Sequence, residues 1–235
     1  MNEGLHRILR EGEISVEGRL VDASNATLFV EISLEGESVK AIYKPVSGER
    51  PLWDFESGNL ASRERAAYVI SEAAGLHCVP LTILRDGPYG IGMVQEWIDT
   101  DEDVDLASYF REDRDELRAV ALFDAIINNT DRKIGHLLVK PGGELKVCDH
   151  GVTFHHEDKL RTVLWQWADS PLNEDELHLL QGIEERLRER SIQELPELIN
   201  DEEYQALLAR INRLLIDKKF PLPNPDWPSV PWPPF

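Results

Sequence analysis

Basic residues are scarce in this chain of 235 residues, where 25 Lys and Arg stand against 44 Asp and Glu for a formal charge of -19. A surface of that sign repels nucleic acid and anionic membranes, because binding to either relies on Lys and Arg neutralising phosphates. No basic run is longer than Lys218-Lys219. Cysteine is equally sparse: Cys78 and Cys148 are the only two, and their spacing suggests free thiols in a reducing cytoplasm. No uninterrupted apolar run approaches the roughly 20 residues that span a bilayer. The N-terminal stretch MNEGLHRILREGE has no apolar segment behind its charges, so no signal peptide is expected. Helical HxxxH and HExxH patterns, the usual mark of a zinc hydrolase, are also missing.

What is present suffices for a sizeable core, since 42% of the residues are hydrophobic. Leu28, Val30, Ile32 and Leu34 alternate with polar neighbours, and with flanking runs at 14–21 and 39–44 they predict a three-stranded meander. Its first turn contains Ser24 and Asn25 but no glycine; phosphate binding there would fall to backbone N–H groups and the Ser24 hydroxyl. Lys44 ends the third strand. Asn59 is placed to cap a helix reaching Ala74 and stopping at Gly75. Ala66, Ala67, Ile70, Ala73 and Ala74 form its apolar stripe, with Glu64 on the margin. A carboxylate there needs a cation, and a strand lysine followed by a helix glutamate is the pair with which kinases hold nucleotide phosphates.

Two further strands are predicted on either side of Asp86-Gly87-Pro88. Met93 in the second suits either core or adenine-pocket lining, and the link Gln95-Glu96-Trp97-Ile98 offers backbone groups to an adenine. The acidic run 99–105 lacks a spaced ligand pattern and reads as a solvated linker. Leu117, Val120, Ala121, Phe123, Ile126 and Ile127 mark a buried helix. Amphipathic helices follow at 174–190 and 202–216, the first rich in Glu/Arg pairs. FPLPNPDWPSVPWPPF at the C-terminus cannot be a regular helix; it reads as an extended tail packing its tryptophans on the domain, or as a docking peptide for another protein.

The densest chemistry lies at 123–154. Pro141-Gly142-Gly143-Glu144 predicts a hairpin turn, with Lys140 facing Leu145, Val139 facing Lys146 and His136 opposite Asp149. Opposed side chains on one sheet face lie about 5 Å apart, close enough to share a cation. Asp131 and Lys133 feed the same rim, where Asp131 is expected as a free carboxylate. Phosphoryl transfer asks for such a set: a carboxylate to orient the attacking hydroxyl, a cation to offset charge, and ligands for a metal on the phosphates.

Asn129-Thr130-Asp131-Arg132-Lys133-Ile134-Gly135-His136, followed by Val147-Cys148-Asp149-His150-Gly151, resembles the catalytic and metal-binding loops of the phosphatidylinositol 3-/4-kinase superfamily. The likeness is strongest to its type II 4-kinase branch and more distant to HipA-type kinases. It extends over about residues 21–171. The resemblance implies an α+β, two-lobed protein-kinase-like fold with an antiparallel-sheet N-lobe (1–97), a mainly helical catalytic C-lobe (98–219) and a tail (220–235). It implies ATP and Mg²⁺ or Mn²⁺ as cofactors, Asp131 and Lys133 as catalytic residues, His136 and Asp149 as metal ligands, and Lys44 with Glu64 as the phosphate-anchoring pair. The phosphate acceptor is expected to be a protein or small molecule rather than a lipid, with no nucleic acid and no stable membrane association.

His136 departs from the family, which usually carries a metal-binding Asn there. Mg²⁺ prefers oxygen, whereas imidazole suits transition metals. That departure motivates a second reading, a catalytically degenerate nucleotide-binding module that regulates a protein partner through the tail. A third is a metal-dependent hydrolase using His136, His150, His155, His156 and Asp149; against it, His155 and His156 on one strand would point to opposite faces.

Overall fold

Strand alternation builds the first layer. The computed structural model of the chain describes residues 3–20, 26–55 and 58–235. In it β1 (Glu13–Arg19), β2 (Leu28–Leu34) and β3 (Glu37–Pro45) form the expected meander. β4 (Thr82–Gly87) and β5 (Gly90–Glu96) complete a five-stranded sheet of order β1-β2-β3-β5-β4, antiparallel at every pair. Val30, Ile32, Ala41, Tyr43 and Val94 are buried in the core. Because side chains alternate along a strand, Ile42 and Lys44 emerge on the face opposite Ala41 and Tyr43. The turn bearing Ser24 and Asn25 lies outside the described residues.

A helix the sequence reading did not anticipate, α1 (Glu3–Glu11), buries Ile8 and Leu9. Arg85 donates to the Leu9 and Gly12 carbonyls at 2.7 and 2.9 Å, placing a cation where the helix leaves carbonyls unpaired. α2 (Leu60–Ala73) ends at Gly75 in the left-handed region (φ 71°). Its N-terminus is capped by Glu49 instead of Asn59: the carboxylate accepts from the Leu60 and Ala61 amides at 3.2 and 2.9 Å. A full negative charge suits that end of the helix dipole, and Asn59 accepts from Arg63 instead. Arg63 and Glu64 are each only 2% exposed, so α2 is buried well beyond its alanine stripe. Arg63 donates to the Thr153 carbonyl at 2.6 Å and pairs with Glu203, while Arg65 forks onto Glu194. These ties fasten α2 to the second layer.

That second layer is mainly helical: α3 (Leu106–Tyr109), α4 (Asp115–Ile127), α5 (Glu174–Arg188), α6 (Leu195–Leu198) and α7 (Asp201–Asp217), with a two-stranded ribbon of β6 (Leu137–Val139) and β7 (Leu145–Val147). α4 carries the expected apolar stripe, and every residue from Val120 to Ile127 is buried. Asn173 and Asn200 open α5 and α7 with reciprocal bonds to Glu176 and Glu203, a capping box. The acidic run is more than a solvated linker, since the Asp101 amide donates to the Val139 carbonyl at 2.8 Å and Asp105 caps α3. The tail does pack on the domain, through the buried Phe220 ring, the Trp227 ring against Lys159 and several backbone bonds. The Ile134 amide donates to Pro234, the Thr162 amide to Ser229, and the Trp165 indole to Ser229; Trp232 is 89% exposed. Among the described residues no helix is long and apolar enough to cross a membrane.

Candidate active site

The ribbon sets the geometry, with a register one residue away from the expected one. Leu137 faces Val147, Leu138 faces Lys146 and Val139 faces Leu145. Lys140 pairs with Glu144 (amide to carbonyl 2.8 Å), which leaves Pro141-Gly142-Gly143 as the loop. Gly142 and Gly143 both take positive φ, 97° and 90°, a conformation that glycine adopts without steric penalty, so the loop closes with one residue fewer than a four-residue turn. His136 therefore lies opposite Cys148, whose amide donates to its carbonyl at 3.2 Å. Asp149 nevertheless meets the imidazole, because its backbone turns into the left-handed region (φ 62°) just past the ribbon and brings Oδ2 to 3.4 Å from His136 Nε2.

Lys44 reaches across from the sheet to this point. Its ammonium lies 2.7 Å from Glu64 Oε1 and 2.8 Å from Asp149 Oδ1. The second Glu64 oxygen accepts from the His150 amide at 2.8 Å, so one buried carboxylate fixes both the lysine and the loop carrying Asp149. Burial works against the lysine's charge, but Asp149 and Glu64 outweigh it and hold its pKa above the ordinary value. Lys44 in turn pulls the half-exposed Asp149 carboxyl below the usual carboxylate range.

Asp131 is not the free carboxylate expected. Lys133 Nζ stands 3.4 Å from its Oδ2 and the Arg161 guanidinium 3.1 Å from its Oδ1. Arg161 also donates to the Thr130 carbonyl at 2.7 Å; thirty residues on in sequence, it left no sign of that contact in a local pattern. Burial nonetheless raises the Asp131 pKa against the pull of both cations.

Behind the rim is a polar knot the sequence reading missed. Asp124 and Arg132 are fully buried and paired at 3.0 Å. Asp124 also accepts from Asn129 (2.9 Å) and Thr162 (3.1 Å), and Arg132 donates to the Cys148 carbonyl and to His150 Nε2, both at 2.8 Å. Burial alone would lower the Arg132 pKa, yet Asp124 carries it upward. The visible signal was an aspartate inside the apolar run of α4, since a charge that deep is retained only when paired.

The imidazoles are separated rather than gathered. A guanidinium can only donate, so His150 Nε2 accepts from Arg132 and the ring proton sits on Nδ1; burial pushes the His150 pKa well down. His136 Nδ1 accepts from the Lys133 amide at 3.3 Å, which puts its proton on Nε2, facing Asp149. Burial lowers His136 to about 4, so the ring is neutral, and it lacks a lone pair toward a metal unless the Lys133 contact breaks. Among the described residues only His155, His156 and Glu157 bring three metal-binding groups together. There His155 Nδ1 accepts from the Glu157 amide, its Nε2 meets the Asp54 carbonyl at 3.0 Å, and Glu157 is paired with Lys159. His155 and His156 lie outside any strand and stack at 4.4 Å instead of facing apart. In that cluster the His155 and Glu157 ligand atoms are already engaged.

Two clefts meet at Asp149. The first, about 300 Å³, is lined by Thr27, Ile42, Lys44, the link from Gln95 to Ile98, His136 and Asp149. Within that link the Gln95 side chain is committed to Thr82, and the Glu96 and Trp97 amides to Leu81 and Lys40. Met93 is fully buried and lies opposite Lys44 in the sheet, on the same face. The second cleft, about 340 Å³, lies beyond Asp149 and contains Thr130, Asp131 and Arg161.

Rv2133c of Mycobacterium tuberculosis is 40% identical across 98% of this chain and 95% of its own length. The chain belongs to the Rv2133c family. No protein-family model matches it. Among solved structures, this member of the Rv2133c family is similar to the Golgi casein kinase with Mn/ADP bound (TM-score 0.62, 11% identity, 92% of this chain and 74% of that one). It is also similar to the Helicobacter pylori proinflammatory kinase CtkA (TM-score 0.53, 14% identity, 90% and 94%) and to hydra Fam20 with sugar (TM-score 0.52, 10% identity, 92% and 88%). Identities this low establish the fold alone: α+β, two-lobed and kinase-like.

Proposed function

We propose that the chain is an ATP-dependent kinase that transfers a phosphoryl group to a hydroxyl acceptor in the cytoplasm, of the phosphatidylinositol 3-/4-kinase-like type that its two loops resemble. The observation that carries this reading is the Lys44 ammonium held between Glu64 and Asp149 on the wall of the first cleft. Lys44 would meet the nucleotide phosphates with Glu64 fixing it. The uncommitted backbone groups at the end of the 95–98 link would take the adenine. Asp149 would hold Mg²⁺ or Mn²⁺, which offsets charge on the phosphates when bound. Asp131, its pKa raised by burial, would orient the hydroxyl and accept its proton, with Lys133 and Arg161 neutralising charge beside it. Residues up to 97 would act as the nucleotide lobe, 98–219 as the catalytic lobe, and 220–235 as a strap on the loops that also offers a surface to a protein partner.

One observation favours the second reading, a nucleotide-binding module without turnover: His136 faces Asp149 with a donor N–H where the phosphatidylinositol 3-/4-kinase loop that it resembles has a ligand oxygen. Calorimetric titration of ATP into metal-stripped protein, with Mg²⁺ and then Mn²⁺, tests the site that both readings share. The expected result is binding that requires the metal and is lost in Asp149→Asn. No binding with either metal would refute both.

A further inference from the structure

We infer that the second cleft binds a small polyhydroxylated molecule, a sugar or cyclic polyol, as the phosphate acceptor; this rests on the kinase reading for the transfer step but not for the binding. The cleft shares Asp149 with the first cleft and has Asp131 in its wall, so a hydroxyl entering it reaches the proposed base from the side away from the nucleotide. At about 340 Å³ it is near the lower end of small-molecule pockets, which run from about 300 to 1,000 Å³.

Its walls are of two kinds. Asp54, Thr130, Asp131 and Arg161 supply hydrogen-bonding groups of both senses, and Trp53 and Trp227 supply indole surface. Sugars and cyclic polyols present the same division, with hydroxyls around the edge and C–H groups on the face. The indoles are held in place: the Lys159 ammonium, itself 4% exposed, lies 4.9 Å from the Trp53 ring centre and 5.0 Å from that of Trp227, a cation–π arrangement. Asp54 and Glu157 each pair with that ammonium at 3.0 Å. Trp53 is 83% exposed, whereas tryptophan is on average well buried. Lipid headgroups in a bilayer are disfavoured by the charge of -19.

In the transfer step the acceptor oxygen bonds to the γ-phosphorus while the bond from that phosphorus to the β,γ-bridging oxygen breaks. ADP leaves with the electron pair, and the hydroxyl proton passes to the Asp131 carboxylate.

Saturation-transfer NMR with free glucose, xylose and myo-inositol reads binding directly, with and without ATP and Mn²⁺. At least one should receive saturation on its carbon-bound protons, and Trp53→Ala should weaken that binding about tenfold. ATP titration of the same variant verifies that it is folded. Absence of saturation transfer to all three, or equal transfer in Trp53→Ala, overturns the inference. So does label from radioactive ATP appearing on a serine-rich peptide and on none of the polyols. Polyol binding without ATP binding would support the pocket and defeat only the kinase reading.

Discussion

Removing Asp124 should destabilise the protein more than any change at the visible rim. Asp124 and Arg132 are both 0% exposed and 3.0 Å apart, so Asp124→Leu leaves a buried guanidinium with no counter-charge, which costs about 3–5 kcal/mol. The Asn129 and Thr162 donors at 2.9 and 3.1 Å lose their acceptor, adding about 1–3 kcal/mol each if they stay dry. A native stability of about 5–15 kcal/mol leaves little after such a loss. Arg132→Met should cost a similar amount through the orphaned carboxylate. In the double variant neither charge remains, and its loss should fall short of the sum of the singles by about 3 kcal/mol or more. Urea unfolding followed by tryptophan fluorescence measures all four corners of this cycle. Losses that add to within about 0.5 kcal/mol would show that the pair is not coupled and that the knot does not hold the two loops.

His136 is pushed down to about 4 by burial, whereas an unfolded histidine titrates near 6.5. As pH falls from about 6.5 to 4 the unfolded chain takes up a proton that the folded one refuses, so stability falls across that window; His150 adds to it in the same direction. His136→Asn should flatten the acid limb of melting temperature against pH, and an unchanged slope would contradict the neutral ring. The same variant supplies a carbonyl oxygen beside Asp149 and should move nucleotide binding toward Mg²⁺ relative to Mn²⁺. At Gly92 an added Cβ would stand 2.5 Å from the Lys44 carbonyl oxygen and 2.7 Å from Pro45 Cα. Gly92→Ala should therefore cost about 1–3 kcal/mol in urea unfolding and weaken nucleotide binding through Lys44.

Local periodicity made much of the fold readable. The meander, the hairpin of β4 and β5, α2, α4 and the two long C-terminal helices follow from spacing two or spacing three and four. Lys44 and Glu64 could be paired on paper because a carboxylate at a helix margin needs a cation and a strand offered one. Distance along the chain hid the rest. Arg161 on Asp131 and Glu203 on Arg63 join residues far apart whose local sequence resembles ordinary surface charge; Asp124 did stand out in its apolar run, but nothing local named Arg132 as its partner. α1 carried Leu5, Ile8 and Leu9 at helical spacing but is short, and its stability comes from packing under the sheet. The ribbon register slipped because two glycines in positive φ close a shorter loop than a turn motif suggests.

Consumption of radiolabelled ATP by the wild type and by Asp131→Asn, each saturated with nucleotide and Mn²⁺, is the most direct test that this site performs chemistry. Turnover in the wild type, with a loss of at least about 100-fold in a variant that still binds ATP, is the predicted result. Equal consumption by both proteins, or none by either at full nucleotide occupancy, would contradict the assignment of Asp131 as the base.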